Sequence, residues 1–255
     1  MRGGSVYRAD RRLRTAFWAG HLGIPLLLLA TTLVLVHCTT LDLAISELFY
    51  DPLTHSFPAR HHWLLETWLH DRVKAPVVVL AITVASVLPG SLIIPALRSW
   101  RPLAGYVITG MLACALIIGL IKHSSSLACP SDLQLFGGTE PHNRLFGGGS
   151  QSIHTAGCWP GAHVVTAFCL YPWYFATRYL GKKRCATTLL VLITGFGLLL
   201  AGVQTARGAH FLSHNLFTGI FCWLISLSGY PLLNRHSGTD TGDGPAPIRP
   251  ERGYP

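Results

Sequence analysis

Long apolar runs separated by short polar segments make up most of the chain. Six runs are each about 20 residues long, the length that an α-helix needs to cross the hydrocarbon core of a bilayer. They cover residues 15–37, 75–96, 102–121, 162–180, 186–206 and 211–232. The pattern predicts an all-α, polytopic membrane protein whose six transmembrane helices form one domain over residues 15–232. The first run is too long for a cleaved signal peptide.

The basic residues lie between the runs and orient the predicted bundle. Fourteen of the 20 Lys and Arg residues fall in segment 1–14, in the loops after the second and fourth runs, and in the tail. If six spans alternate, these four segments share one side, and the positive-inside rule places them in the cytoplasm. We therefore predict a bacterial inner (cytoplasmic) membrane protein with both termini cytoplasmic. The loops 38–74, 123–161 and 207–210 then face the periplasm, and residues 235–255 form a disordered cytoplasmic tail.

Composition narrows the classes of function. Half of the residues are hydrophobic and 12% are charged, which excludes disorder, collagen and coiled coil for the bulk of the chain. The formal net charge of +9 comes from short clusters rather than from a stripe, so nucleic-acid binding is disfavoured. The lipid bilayer is the expected partner, and no protein partner is predicted.

Ionisable and small residues collect at the predicted periplasmic ends of the runs. They are Lys122 after the third run, Pro160, Gly161, Ala162 and His163 at the start of the fourth, and Arg207, His210 and His214 after the fifth. For any one of these residues, snorkelling or a position in the wet headgroup layer explains its place in the sequence as well as a functional role does. The convergence of the whole set on one membrane face favours a functional site.

The spacing of this set fits phosphate chemistry. If residues 207–214 are helical, Arg207, His210 and His214 share a face about 60° wide. Cations and the open amides of a helix start at 160–163 attract phosphate. Neutral imidazoles beside that phosphate can attack phosphorus or, once protonated, protonate a leaving group.

Three motifs in this set resemble those of the type 2 phosphatidic acid phosphatase superfamily of membrane lipid phosphatases. The family motifs K-x6-R-P, P-S-G-H and S-R-x5-H-x3-D are matched by KHSSSLACP (122–130), PGAH (160–163) and QTARGAHFLSH (204–214). The resemblance covers about residues 101–230. It implies a six-span fold with an active site facing the periplasm, and a phosphoric monoester hydrolase or lipid diphosphatase that needs neither metal nor other cofactor. The implied substrate is a membrane lipid phosphate at the outer leaflet.

The resemblance also implies a role for individual residues. His210 would be the nucleophile that becomes a transient phosphohistidine, and His163 would protonate the leaving alcohol. Lys122 would hold phosphate oxygens, together with Arg207 and the backbone amides of Gly161 and Ala162.

Four positions depart from the family motifs. Cys129 replaces the first-motif Arg, Gly161 the second-motif Ser, Gln204 the third-motif Arg and His214 the third-motif Asp. Arg207, one helical turn after Gln204, is expected to supply the missing cation. The Asp normally orients the nucleophilic His; a neutral His214 can accept the same hydrogen bond but adds no charge. Asp132, in the loop 123–161, is the candidate that could supply a carboxylate in its place.

The predicted outer loops contain other groups whose roles stay open. Cys129 and Cys158 can form a disulfide in an oxidising compartment, or remain free thiols, and Cys38 is another candidate partner. A metal site from Asp132, Glu140, His142 and His154 matches no tight ligand motif, so no metal is predicted. ISELFY and HHWLLETWLHDRV, within residues 38–74, are predicted to be helices lying at the membrane surface.

Two other functions compete with hydrolysis. The same phosphohistidine could pass its phosphoryl group to a second lipid, which would make the protein a lipid phosphotransferase. A non-catalytic lipid-binding or transport protein could have the same fold, although no paired ionisable residues occur in mid-span.

Overall fold

The computed structural model describes residues 15–142 and 157–236, apart from the side chains at 70, 71 and 234–236. Within these ranges the chain is almost entirely helical, with no strand beyond isolated bridges, as the all-α prediction requires. The helices are α1 (Ile24–Cys38), α2 (Leu41–Glu47), α3 (Lys74–Ile93), α4 (Arg101–His123), α5 (Val165–Phe168), α6 (Tyr171–Tyr179), α7 (Lys183–Ala206) and α8 (Leu212–His236). The predicted basic segment 1–14, His154 and the tail beyond residue 236 lie outside the described residues.

Among the described residues, five helical segments are long and apolar enough to cross a membrane. They are Thr15–Cys38, Leu64–Ile93, Pro95–His123, Lys183–Ala206 and Leu212–Leu233. Each overlaps one predicted run. Large apolar side chains on their outer faces, such as Leu27, Ile82 and Leu116, are exposed and suited to contact with lipid tails. The chain is therefore a membrane protein.

The fourth predicted run, 162–180, is divided rather than continuous. A 3₁₀ turn at Ala162–Val164 leads into α5, and two residues separate α5 from α6. Pro172 explains the break, since its ring lacks an N–H group and would clash with the carbonyl of Phe168 in a continuous helix. The spanning role of this run, and with it a total of six spans, stays a prediction.

The apolar core surrounds this divided run. Cys114 and Ile118 of α4, Phe168 of α5, Leu200 of α7 and Cys222 of α8 are all buried in one cluster. α4 and α8 pack against each other, and α6 packs against both α7 and α8. Packing of α4, α7 and α8 around one core brings their ends at residues 123, 206 and 212 to the same side of the bundle.

A second, smaller apolar cluster joins the chain before α3 to this end of the bundle. Phe57 is 3% exposed and packs with Leu133, Phe136 and Phe211. The segment 57–72, here called the outer segment, contains a 3₁₀ turn at Pro58–His61 and a π-helix at Leu64–Arg72. The predicted surface helix ISELFY overlaps α2, which ends at Glu47, and HHWLLETWLHDRV contains the π-helix, which continues into α3. Their position at the membrane surface stays a prediction.

Candidate active site

A tight turn between α7 and α8 presents His210. Gly208 has a φ of 65°, in the left-handed region that favours glycine. The amides of Ala209 and His210 donate to the carbonyl of Gln204 at 3.0 and 3.3 Å. Residues 207–214 do not form one helix, because this left-handed turn separates α7 from α8, so the condition for a shared helical face of Arg207, His210 and His214 is not met. Gln204 contributes to the site through its carbonyl, which fixes the turn.

The rings of His210 and His214 bind one peptide carbonyl. Nδ1 of His210 lies 2.9 Å from the carbonyl oxygen of Cys158, and Nδ1 of His214 lies 3.1 Å from the same atom. Since a carbonyl only accepts hydrogen bonds, both Nδ1 atoms carry the proton and both Nε2 atoms carry a lone pair in the neutral rings. The expectation that His214 accepts a hydrogen bond from His210 is therefore wrong.

A disulfide joins Cys129 and Cys158, whose Cα atoms are 5.2 Å apart. It connects the first-motif segment to the residues just before the second motif. Cys38, the alternative partner, is a free and exposed thiol. One ligand atom each of Cys129, Cys158 and His210 lie within 4.8 Å of one another, but the bridged sulfurs are not thiolate ligands for a metal.

Burial and neighbouring charge keep the His210 ring neutral. Desolvation, followed by the charges of His214 and Lys122, lowers the pKa of His210 to about 3, and the hydrogen bond to Cys158 opposes this shift. His163 lowers the same pKa further. Lys122, at the end of α4, and His163, at the start of the divided run, are therefore both close enough to His210 to act on its charge.

The outer segment covers Arg207 and His163. Nε of Arg207 donates to the carbonyl of Arg60 at 3.2 Å, and its Nη2 lies 3.7 Å from a carboxylate oxygen of Glu66. Nη1 of Arg207 is buried and has no hydrogen-bond partner among the described residues. Nε2 of His163 lies 2.9 Å from the carbonyl of Leu69. A phosphate that binds Arg207 would thus compete with a carboxylate of the protein itself.

The second motif is fixed by α8. The amide of Gly161 donates to the carbonyl of His214 at 3.0 Å, so the prediction that this amide is open for phosphate is wrong. A Cβ at position 161 would lie 2.2 Å from Oδ1 of Asn215, which explains why glycine replaces the serine of the family motif. Ala162 begins the 3₁₀ turn that leads to His163.

The carboxylate nearest to the third motif is not the predicted one. Asp132 accepts a hydrogen bond from the hydroxyl of Ser131 at 3.3 Å, and the described structure gives it no contact with His210 or His214. Asp42 of α2 instead accepts hydrogen bonds from the amide of Ser213, at 3.1 Å, and from its hydroxyl. It thereby caps the first turn of α8.

Asp42 also lines a cavity beside the third motif. The cavity has a volume of about 90 Å³ and is lined by Asp42, His142, Ser213 and His214 among others. Burial raises the pKa of Asp42, and the two bonds from Ser213 oppose the rise. No sequence signal marked Asp42, since 171 positions separate it from Ser213.

Similarity to known proteins lies in the second half of the chain. A family model described as PAP2 superfamily matches residues 103–237, which is more than half of the chain. The matched region contains all three motifs, whereas Asp42 and the outer segment precede it. No curated protein and no solved structure matches the chain.

Proposed function

Because the chain belongs to the PAP2 superfamily, we propose that it removes phosphate from a lipid phosphate or lipid diphosphate at the outer leaflet. Family membership supports a phosphatase-type activity, and the five membrane-spanning helices support a substrate held in the bilayer. The proposed reaction needs no metal and passes through a phosphohistidine.

The first proposed step is attack by His210. Its Nε2 lone pair forms a bond to phosphorus while the bond from phosphorus to the lipid oxygen breaks. Protonated His163 gives a proton to that oxygen, so the lipid leaves as a neutral alcohol. With a diphosphate, the leaving group is the lipid monophosphate.

The second step is hydrolysis of the phosphohistidine. Water attacks phosphorus and gives a proton to His163, and the N–P bond breaks to release inorganic phosphate. Nε2 of His210 recovers its lone pair. In both steps Lys122 and Arg207 offset the negative charge on the phosphoryl oxygens.

One observation carries this proposal more than the others. The Nδ1–H of His210 is engaged by the Cys158 carbonyl, so the neutral ring offers its lone pair at Nε2, within reach of the charges of Lys122 and His163. A buried guanidinium nitrogen of Arg207 without a hydrogen-bond partner in the described structure adds a donor suited to an anion.

The test is phosphate release by the full chain in detergent, with EDTA present, from a panel of lipid monophosphates and diphosphates. We expect release from at least one lipid, inhibition by vanadate and a loss of about a thousand-fold or more in His210→Ala. His123→Ala is the matched control, since this exposed imidazole adjoins Lys122 and should be dispensable. A sample denatured at alkaline pH, where the N–P bond survives, should contain a phosphorylated His210. Absence of release from every lipid would overturn the proposal.

A further inference from the structure

Two imidazoles share an acceptor that is part of the main chain. The family places a carboxylate at position 214, but here His214 occupies it and donates to the same Cys158 oxygen as His210, at 3.1 and 2.9 Å respectively. A peptide oxygen has two lone pairs, so it can accept both bonds at once. The acceptor that sets the tautomer of His210 is therefore a neutral carbonyl.

Several contacts fix the direction of this carbonyl. The amide of Cys158 donates to Leu127 at 2.9 Å, and that of Gly157 donates to Ser125 at 3.0 Å. The Cys158 side chain is bonded to Cys129, and its sulfur lies 3.2 Å from Nδ1 of His210. Cys158 is 1% exposed. The peptide is thus held on one side by backbone pairing and on the other by the disulfide.

We propose, building on the phosphohistidine mechanism above, that the carbonyl of Cys158, held by the Cys129–Cys158 disulfide, is the positioning group for the nucleophile. Turnover then depends on the redox state of this cysteine pair. A dithiol reductant supplies two electrons and two protons, the S–S bond breaks, two thiols form and the reductant becomes a disulfide. The Cys158 peptide loses one of its two restraints, and Nδ1 of His210 loses a fixed acceptor.

A neutral acceptor changes the chemistry of the intermediate. A carboxylate could attract the Nδ1 proton and stabilise a positive ring, whereas a carbonyl only orients it. When Nε2 bonds to phosphorus, the Nδ1 proton stays on the ring with either acceptor, but the carbonyl offsets less of the ring's positive charge than a carboxylate would. Such a ring is a good leaving group, because breaking the N–P bond returns it to the neutral state.

The first experiment cuts the tether without changing the carbonyl. Cys129→Ser and reduction of the wild type by dithiothreitol should each lower kcat by roughly ten- to a hundred-fold, with KM changed less than about two-fold. Reoxidation should restore the wild type and leave Cys129→Ser unchanged. Cys38→Ser and Cys185→Ser, which alter exposed free thiols, should retain full activity and the response to dithiothreitol. Unchanged kcat in the reduced wild type would overturn the proposal.

The second experiment measures the hydrogen bond itself. ¹⁵N NMR of the His210 ring in the detergent-solubilised full chain should report a proton on Nδ1 in the oxidised protein, and a mixture of tautomers after reduction. A single Nδ1–H tautomer in both states would overturn the role of the disulfide. Because this spectrum needs no substrate, it also separates failure of this proposal from failure of the proposed phosphatase activity.

The third experiment places a carboxylate at the family position. In His214→Asp the added negative charge should raise the pKa of His210 and move the acid limb of kcat/KM upward by about one pH unit. His214→Asn, which removes the charge of His214 without adding a negative one, should move the limb upward less than His214→Asp does. A merely structural defect would lower kcat without moving the acid limb of kcat/KM. An unmoved acid limb in His214→Asp would therefore contradict the assignment of the neutral Cys158 carbonyl as the acceptor for His210.

Discussion

Replacing Gly208 with alanine perturbs the turn that carries His210. The glycine has a φ of 65°, and a Cβ at this position would lie 2.4 Å from the ring of Phe57. A left-handed residue other than glycine costs about 1–2 kcal/mol. Forcing a ring aside in a packed cluster costs about 1–3 kcal/mol more. Because Phe57 is itself buried among three other apolar side chains, both costs should be realised, about 2–5 kcal/mol in total.

Thermal unfolding in detergent, followed by circular dichroism, measures this loss. We expect the Tm of Gly208→Ala to fall on the order of 10 °C. Its kcat should fall as well, because His210 follows the turn by two residues. Gly202→Ala is the matched control: Gly202 lies on α7 with open space around its Cβ position, so alanine should be neutral or stabilise by up to about 1 kcal/mol. A Gly208→Ala protein as stable as this control would refute the reasoning.

Three further changes have defined outcomes. Glu66→Gln should lower the KM for a lipid phosphate a few-fold in steady-state assays, because a carboxylate 3.7 Å from Arg207 no longer competes with substrate. The pKa of His210 is lowered from 6.5 to about 3 on folding, so the unfolded state binds more protons between these values and stability falls as pH drops through them. As the pH is lowered, the Tm of His210→Asn should therefore fall less steeply than the Tm of the wild type. Ser213→Ala removes one donor to Asp42 and should cost about 1–2 kcal/mol of stability, seen as a lower Tm.

Each of these changes has its own control and its own contrary result. Glu47→Gln alters an exposed carboxylate of α2 and should leave KM unchanged; an equal change in both variants would remove the competition argument. Equal acid slopes for wild type and His210→Asn would mean that another group causes the acid dependence. An unaltered Tm in Ser213→Ala would mean that the amide of residue 213 alone suffices to hold Asp42.

Membrane helices were predictable because their signal is local. A run of about 20 apolar residues can form a helix that makes its backbone hydrogen bonds internally, and its side chains must face lipid or another helix. The length and composition of the run therefore determine where the helix lies in the sequence. The divided run at 162–180 shows the limit of that signal. The run is buried among α4, α7 and α8, its spanning role stays a prediction, and only Pro172 marked the place where the helix is interrupted.

The sequence predicted those members of the candidate site that belong to the motifs; their catalytic roles stay predictions. Lys122, His163 and His210 were named from spacing and resemblance, and the structure brings Lys122 and His163 each within electrostatic reach of His210. The orienting groups were not predictable in the same way. The Cys158 carbonyl has no side-chain signature, and Asp42 meets Ser213 only through the tertiary packing of α2 on α8. The sequence analysis chose Asp132, in the loop after the first motif, although a position in that loop does not determine closeness to His210 in the folded bundle.

Residues that precede the family region pack over its motif residues. The family region alone would therefore be an incomplete enzyme. Asp42, Phe57, Glu66 and Leu69 all precede residue 103, where the family region begins. Asp42 binds Ser213 in the first turn of α8, Phe57 lies against Gly208, Glu66 lies near Arg207 and Leu69 contacts His163. A fragment restricted to the family region would keep every motif and lose all four supports. Relatives that share the motifs but differ in this leading part could therefore differ in rate and substrate range.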